Sequence, residues 1–251
     1  MEHDESEEQP TGLAKYADDL TELRHRLFIV AAVFLISLVV GLFLTTKLMP
    51  LIIEHSPARD ISLNSFSPWD AVAVFMKFGT VFATVIGLPV ILFQIWRFVS
   101  PALTAKERRV SLKYIPFAVI CFAVGFCFSY FIVFPMAFSF TSALTAAMGI
   151  EQTYGVAEFF SYMGDIILAV SLMFELPVLV MFLTGVRILK PTFLQRCRKV
   201  AYVILTAVAI TITPADLFSD LLVLFPLIAL FEFSILLSKV VYRKLHTEED
   251  E

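Results

Sequence analysis

Long apolar runs alternate with short charged segments along most of the chain. The first run, 27–46, is long enough to cross a bilayer core of ~30 Å at ~1.5 Å per residue. Later apolar runs cover 71–96, 114–138, 161–186 and 200–237. The sequence Thr213-Pro214-Ala215-Asp216 interrupts the last run, and residues of this kind favour a turn. The pattern therefore predicts an all-α polytopic membrane protein with six transmembrane helices, of which the last two are short.

The fifth predicted span is too short for an ordinary bilayer. Its apolar residues, 200–212, cover ~20 Å as a helix, against a core of ~30 Å. A span of this length requires the bilayer to become thinner locally or the helix to be covered.

Both ends of the chain are hydrophilic. Residues 1–26 are acidic and then amphipathic, which predicts a tail and a short interfacial helix. Residues 238–251 form a second acidic tail, so the transmembrane domain is predicted to cover 27–237. The acidic ends explain the net charge of −4.

Composition agrees with a membrane protein, because 59% of the residues are hydrophobic and the mean hydropathy is +0.83. The cysteines Cys121, Cys127 and Cys197 have neither CxxC spacing nor a histidine partner, so we interpret them as packing residues.

The distribution of Lys and Arg predicts the orientation, since these residues favour the cytoplasmic side. Sixteen cations lie in the two tails and in the loops after the second and fourth spans, whereas only Lys47 and Arg59 lie in the remaining loops. Both termini are therefore predicted to be cytoplasmic. The other cation, Lys77, lies inside the second span, and we expect it to extend toward the outer surface.

Motifs for catalysis are missing from the sequence. All four histidines lie outside the spans, and neither a Gly-rich phosphate loop nor a nucleophile elbow is present. We therefore expect a protein that is not an enzyme and that needs no metal, cofactor or nucleic acid. An ion-coupled secondary transporter remains an alternative, because Glu175 and Lys77 are ionisable residues at membrane depth.

Four motifs, in order along nearly the whole chain, carry a resemblance. They are Leu20-x-Glu22-Leu23-Arg24-x-Arg26-Leu27, Pro89-Val90-Ile91-Leu92-x-Gln94-x-Trp96-x-Phe98-x-x-Pro101-Ala102-Leu103-x-x-x-Glu107-Arg108-Arg109, Phe174-Glu175-x-Pro177 and Thr213-Pro214-x-Asp216-x-Phe218-Ser219. Together they resemble the TatC family, the multispanning receptor subunits of the twin-arginine protein translocase. The resemblance implies a concave, glove-like assembly of six helices in the cytoplasmic (inner) membrane of a prokaryote.

The resemblance implies that Glu22 and Glu107 help bind the paired arginines of a folded cargo's signal peptide at the cytoplasmic face. Arg24 would orient this site, and Phe98 would help exclude water from it. From the residues alone, Glu22 could instead simply pair with Arg26 at i, i+4. Glu107 could instead favour the dipole of a following helix.

The remaining expectations concern an acid inside the fourth span and the surfaces that bind partner subunits. Near the middle of the fourth span, Glu175 is protonated, hydrogen-bonded or faces a wet groove, and we favour the groove. The resemblance implies that single-span TatA and TatB subunits dock near span five and the last turn, at Ile210, Thr213 and Asp220. It also implies further copies of the chain in one complex in the lipid bilayer, and export driven by the proton-motive force.

Overall fold

A computed structural model describes residues 12–54, 63–104, 108, 111–212 and 217–247 of the chain. The Glu107, Thr213 and Asp216 positions lie outside these described residues. The fold consists of helices α1 (Gly12–Glu54), α2 (Asp70–Val99), α3 (Tyr114–Phe128), α4 (Phe134–Ala147), α5 (Val156–Met173), α6 (Leu176–Gly185), α7 (Pro191–Arg196), α8 (Arg198–Ile212) and α9 (Leu217–Thr247), with two-residue strands β1 (Leu63–Asn64) and β2 (Tyr154–Gly155).

In the described part of the chain, five helical segments are long and apolar enough to cross a membrane: Thr21–Glu54, Asp70–Val99, Tyr114–Ala147, Val156–Gly185 and Leu217–Lys244. The shorter α8, with 15 residues, covers ~22 Å and occupies the place of the predicted fifth span. The predicted all-α membrane fold is thus confirmed.

The prediction that the last span is short is wrong. Helix α9 has 31 residues, and its apolar part alone is long enough for a bilayer. The charged residues after Leu237 end the apolar run without ending the helix, because Lys and Arg are good helix formers.

Helix α1 runs without a break for 43 residues. The segment predicted as a separate interfacial helix is instead the first part of α1. This helix packs closely on α2, where a Cβ added to Gly41 would lie 2.7 Å from the carbonyl oxygen of Gly79. Thr45, buried at the same contact, donates its hydroxyl to the Gly41 carbonyl at 2.8 Å. The two backbones can approach this closely only because both positions are glycine.

Two prolines shape the third and fourth spans. A π-helical turn, Ser129–Val133, joins α3 to α4 just before Pro135. Pro177 lies in the first turn of α6, and the fourth span is interrupted immediately before it, at Phe174 and Glu175. Proline has no N–H and its ring clashes with the preceding turn, so both spans depart from a regular α-helix where it occurs.

The core lies between α4, α5 and α9, with the second span packed beside α5. Phe134, Phe160, Leu227 and Ile235 are all 0–1% exposed. The Phe78 ring of α2 meets the Phe160 ring edge-on, with centroids 5.3 Å apart. This core holds the second, fourth and last spans at fixed positions and so fixes the polar residues that they carry.

At one end of the bundle, β1 pairs in parallel with β2. We call this the sheet end. Asp70, at the start of α2, accepts hydrogen bonds from the backbone N–H of Phe66 at 2.7 Å and of Ser67 at 3.0 Å. The opposite end, where α2 ends and α3 begins, we call the basic end.

Candidate functional site

The first polar cluster lies at the basic end, where α1 meets the last turns of α2. Glu22 forms an ion pair with Arg26 one turn later on the same helix. Arg26 is buried and also donates from Nη1 to the backbone carbonyl of Gln94, at 3.4 Å. The arginine therefore links the carboxylate of α1 to the backbone of α2, while 47% of the Glu22 side chain stays exposed.

Two aromatic rings accompany this cluster. The guanidinium carbon of Arg26 lies 5.8 Å from the ring centroid of Phe98, close enough for a cation–π contact. Arg24 turns away and lies over Phe28 of its own helix, at 5.6 Å. The structure thus brings Glu22 and Phe98 to one site through Arg26, a residue to which the sequence analysis gave no function of its own. It does not bring Arg24 onto Glu22.

The segment after α2 forms a second set of contacts at the basic end. The indole Nε1 of Trp96 donates to the Ser111 hydroxyl at 3.0 Å, and Arg108 lies over the Trp96 ring at 5.8 Å. These contacts tie the start of α3 to the end of α2. Glu107, one residue before Arg108, falls outside the described residues, so its predicted proximity to Glu22 stays a prediction.

Glu175 lies at the interruption between α5 and α6, in the position that precedes the first turn of α6. Its side chain is partly buried, and its Oε1 atom is buried without a hydrogen-bond partner among the described residues. Nearby, Phe174 packs so closely on Gly125 that an added Cβ would lie 2.7 Å from the phenyl ring. The glycine leaves room for Phe174, which fixes the interruption against α3.

A groove of about 160 Å³ connects Glu175 with the basic end. Its lining comes from α2, the start of α3 and α6, and includes Leu92, Trp96, Ser111, Tyr114, Glu175 and Phe182. The lining is almost entirely apolar, and Glu175 is the one carboxylate among the described lining residues, alongside the hydroxyl-bearing Ser111 and Tyr114. Such a groove can receive apolar side chains of a bound segment and offer them a contact with a carboxylate at depth.

The predicted partner-binding edge lies on α8 and α9. Ile210 is 50% exposed near the end of α8, and Asp220 lies in the first turn of α9. Phe218 stacks on Phe140 of α4, with centroids 4.2 Å apart. Near the sheet end, Ile210 is therefore exposed and Asp220 is half-buried, while Thr213 lies outside the described part of the chain.

Sequence reasoning missed two ion pairs between spans. Lys77 pairs with Asp165 across α2 and α5, at 2.5 Å, where we had expected an extension toward the surface. Arg198 of α8 pairs with Glu232 of α9 at 2.7 Å, and the Tyr202 hydroxyl donates to the same carboxylate at 2.6 Å. Each acid lies far along the chain from its cation, and no local spacing connects them. An acid inside an apolar run is the only signal in the sequence that points to such a pair.

Fold and site together define a multispanning helical membrane protein with an ionic cluster at one end and an apolar groove leading to a carboxylate. The family model described as Sec-independent protein translocase protein (TatC) matches residues 18–226. The chain belongs to the TatC family.

Related proteins and a solved structure match this chain over most of its length. The chain is 40% identical to Sec-independent protein translocase protein TatCy of Bacillus subtilis (strain 168), over 90% of this chain and 89% of the relative. It is 41% identical to the TatC protein of Halalkalibacterium halodurans, over 92% of each. A crystal structure titled Twin Arginine Translocase Receptor TatC has 29% sequence identity and a TM-score of 0.78, and the match covers 89% of this chain and 99% of that one.

Proposed function

We propose that this chain is the receptor and assembly platform of a twin-arginine translocase, in which it binds twin-arginine signal peptides and supports export of folded proteins. The single observation that carries the proposal is the cluster of Glu22, Arg26 and Phe98 at the basic end. The basic end is taken as cytoplasmic, because it carries the excess of Lys and Arg.

The geometry of Glu22 suits a second guanidinium. Arg26 engages Oε1 of the carboxylate, and a carboxylate offers about four acceptor sites on its two oxygens. A signal arginine can therefore bind the exposed side of Glu22 without displacing Arg26. Since Arg26 is itself held by the Gln94 carbonyl, the carboxylate is oriented before the ligand arrives.

Discrimination between arginine and lysine follows from the shape of the two cations. Guanidinium presents a planar fork that makes two parallel hydrogen bonds with a carboxylate, which a compact ammonium cannot reproduce. A fully exposed ion pair contributes only ~0.2–1 kcal/mol, so selectivity requires partial exclusion of water. Phe98, which is 42% exposed beside Arg26, can supply an apolar surface for it. Glu107 would act as the second carboxylate, and Arg24 would limit how the signal approaches.

The groove extends the site into the membrane. An apolar segment of a signal peptide that follows its arginines would enter from the basic end and run toward Glu175. Partner single-span subunits TatA and TatB would dock at the edge formed by Ile210, Thr213 and Asp220, and other copies of the chain would complete the complex in the cytoplasmic membrane. The proton-motive force would drive export, without a cofactor and without hydrolysis by this chain.

The test of this proposal is selective co-purification. Membranes containing the tagged chain should retain a folded cargo whose signal carries Arg-Arg, and retain roughly tenfold less of the same cargo with Lys-Lys, since a two-bond contact with a carboxylate is lost. Equal retention of the two cargoes would contradict the proposed receptor function.

Topology gives an independent prediction. In a variant without the native cysteines, an impermeant thiol reagent applied to intact cells should label Thr153→Cys, which is exposed at the sheet end. The same reagent should label Ile188→Cys, 69% exposed in the loop before α7, only after the membrane is permeabilised. Labelling of position 188 from outside would overturn the assignment of both termini to the cytoplasm.

A further inference from the structure

The ion pair of Lys77 and Asp165 lies inside the apolar runs of the second and fourth spans, six residues after the start of run 71–96 and four after the start of run 161–186. Asp165 is nine residues into α5 from its start at the sheet end, which places it ~14 Å along the helix. Lys77 is seven residues into α2, ~10 Å from the same end. The Lys77 Nζ atom donates to Asp165 Oδ1 at 2.5 Å.

The pair is not enclosed by the bundle. The Asp165 side chain is 55% exposed and that of Lys77 is 23% exposed. Glu158, seven residues before Asp165, is exposed on the same face of α5, because positions seven apart share a face of a helix. These two carboxylates therefore mark a polar strip that runs from the sheet end down α5 to Asp165.

A glycine makes room for this arrangement. A Cβ added to Gly164 would lie 2.8 Å from Cγ and 3.0 Å from Cδ of Lys77. The aliphatic part of the lysine thus lies across the bare backbone of α5, which directs the ammonium to the neighbouring Asp165. The contact leaves one face of the pair open, away from the packed helices.

Lipid acyl chains are an unfavourable environment for the exposed face of this ion pair. A charged side chain in contact with hydrocarbon costs a few kcal/mol or more, and polar groups at membrane depth face a water-filled cavity or other protein. An apolar side chain at the same position could contact acyl chains without this cost. The exposed face of Asp165 therefore requires water or a polar partner beside it.

We propose that the surface formed by α2 and α5 around Lys77 and Asp165 is the wall of an aqueous cleft that opens at the sheet end. Water enters along the strip from Glu158 and reaches Asp165. Glu175 lies ten residues further along the same span, ~15 Å at the rise of a helix. The cleft and the groove that ends at Glu175 thus leave only about half of a ~30 Å hydrophobic core between them at this span.

The test is the accessibility of single cysteines in a variant with Cys121, Cys127 and Cys197 replaced. Ser161→Cys, one turn from Asp165 on the same face, keeps the ion pair intact, and Asp165→Cys probes the floor of the cleft. The matched control is Phe43→Cys, which is 70% exposed on α1 and eleven residues, ~16 Å, from the end of that helix at the sheet end. Thr153→Cys serves as the reference for full access from the sheet end.

A membrane-impermeant, water-soluble thiol reagent should label Ser161→Cys and Asp165→Cys at least roughly tenfold faster than Phe43→Cys, because the thiolate that reacts forms in water. If both positions were labelled as slowly as Phe43→Cys, the proposal of an aqueous cleft would be wrong. Lipid or a partner helix would then cover the surface around Asp165. Labelling of Thr153→Cys shows from which side the reagent reaches the sheet end. The labelling experiment therefore gives its answer whether or not the chain binds signal peptides.

A second variant tests the ion pair itself. Lys77→Met combined with Asp165→Leu removes both charges and keeps similar side-chain volume, so labelling of Ser161→Cys should fall about tenfold if the charges hold water there. Gly164→Ala, which displaces the lysine stem, should reduce labelling in the same direction. Unchanged labelling in the double variant, with normal amounts of monodisperse protein, would contradict the assignment of the cleft to this pair.

Discussion

Replacement of both glutamates of the proposed signal site, Glu22→Gln with Glu107→Gln, is expected to abolish detectable binding of a twin-arginine signal. Each charge-assisted hydrogen bond to a guanidinium contributes about 1.5–3 kcal/mol, so each single replacement should weaken binding roughly ten- to hundredfold. Binding is measured by titration of a labelled signal peptide against the purified chain in a membrane mimetic.

Glu158→Gln is the control for this experiment. Like Glu22, Glu158 is an exposed acid on a transmembrane helix, but it lies at the sheet end. Its replacement should leave the dissociation constant unchanged within about twofold, since it is distant from the bound arginines and the solvent screens it. Undiminished signal binding by the double variant, with the control intact, would remove the two glutamates from the site.

Replacement of Glu175 is expected to have the second largest effect, on the rate of export. Glu175→Leu removes the polar contact at the end of the groove and should reduce export at least roughly tenfold, the cost of one lost buried hydrogen bond. Glu175→Gln keeps the shape and a hydrogen-bonding group, and should export within about threefold of the unchanged chain. Export is measured as the rate at which a folded reporter appears outside the membrane, with signal binding measured in parallel.

The comparison also separates the two functions that the sequence allowed. A transporter that uses the carboxylate to carry protons loses activity with glutamine as completely as with leucine, because neither side chain exchanges a proton. Equal loss in the two variants, with signal binding intact, would therefore favour ion coupling over docking. A defect that is specific to leucine supports the groove as a docking surface.

The sequence predicts the spans well, because the length of an apolar run relates directly to bilayer thickness. It fails at the ends of α1 and α9, where charged residues end the apolar run but the helix continues. Hydropathy identifies the part of a helix in lipid, and propensity decides how far the helix extends beyond it.

In the candidate site, too, contacts within one helix could be predicted from the sequence, and contacts between helices could not. The pair of Glu22 and Arg26 follows from their spacing on one helix, and the structure forms it. The bond from Arg26 to Gln94 joins residues 68 positions apart, and the pair of Lys77 and Asp165 joins residues 88 apart. Such contacts depend on how the helices are arranged, which no pattern within one helix specifies.

Recognition of a signal arginine by the Glu22 carboxylate can be measured with a double-mutant cycle between chain and signal. Dissociation constants are measured for Arg-Arg and Lys-Lys signals with the unchanged chain and with Glu22→Gln. The preference for Arg-Arg should fall at least about tenfold when Glu22 is replaced, because the two-bond contact no longer forms. A preference that is the same in both chains would contradict recognition by Glu22.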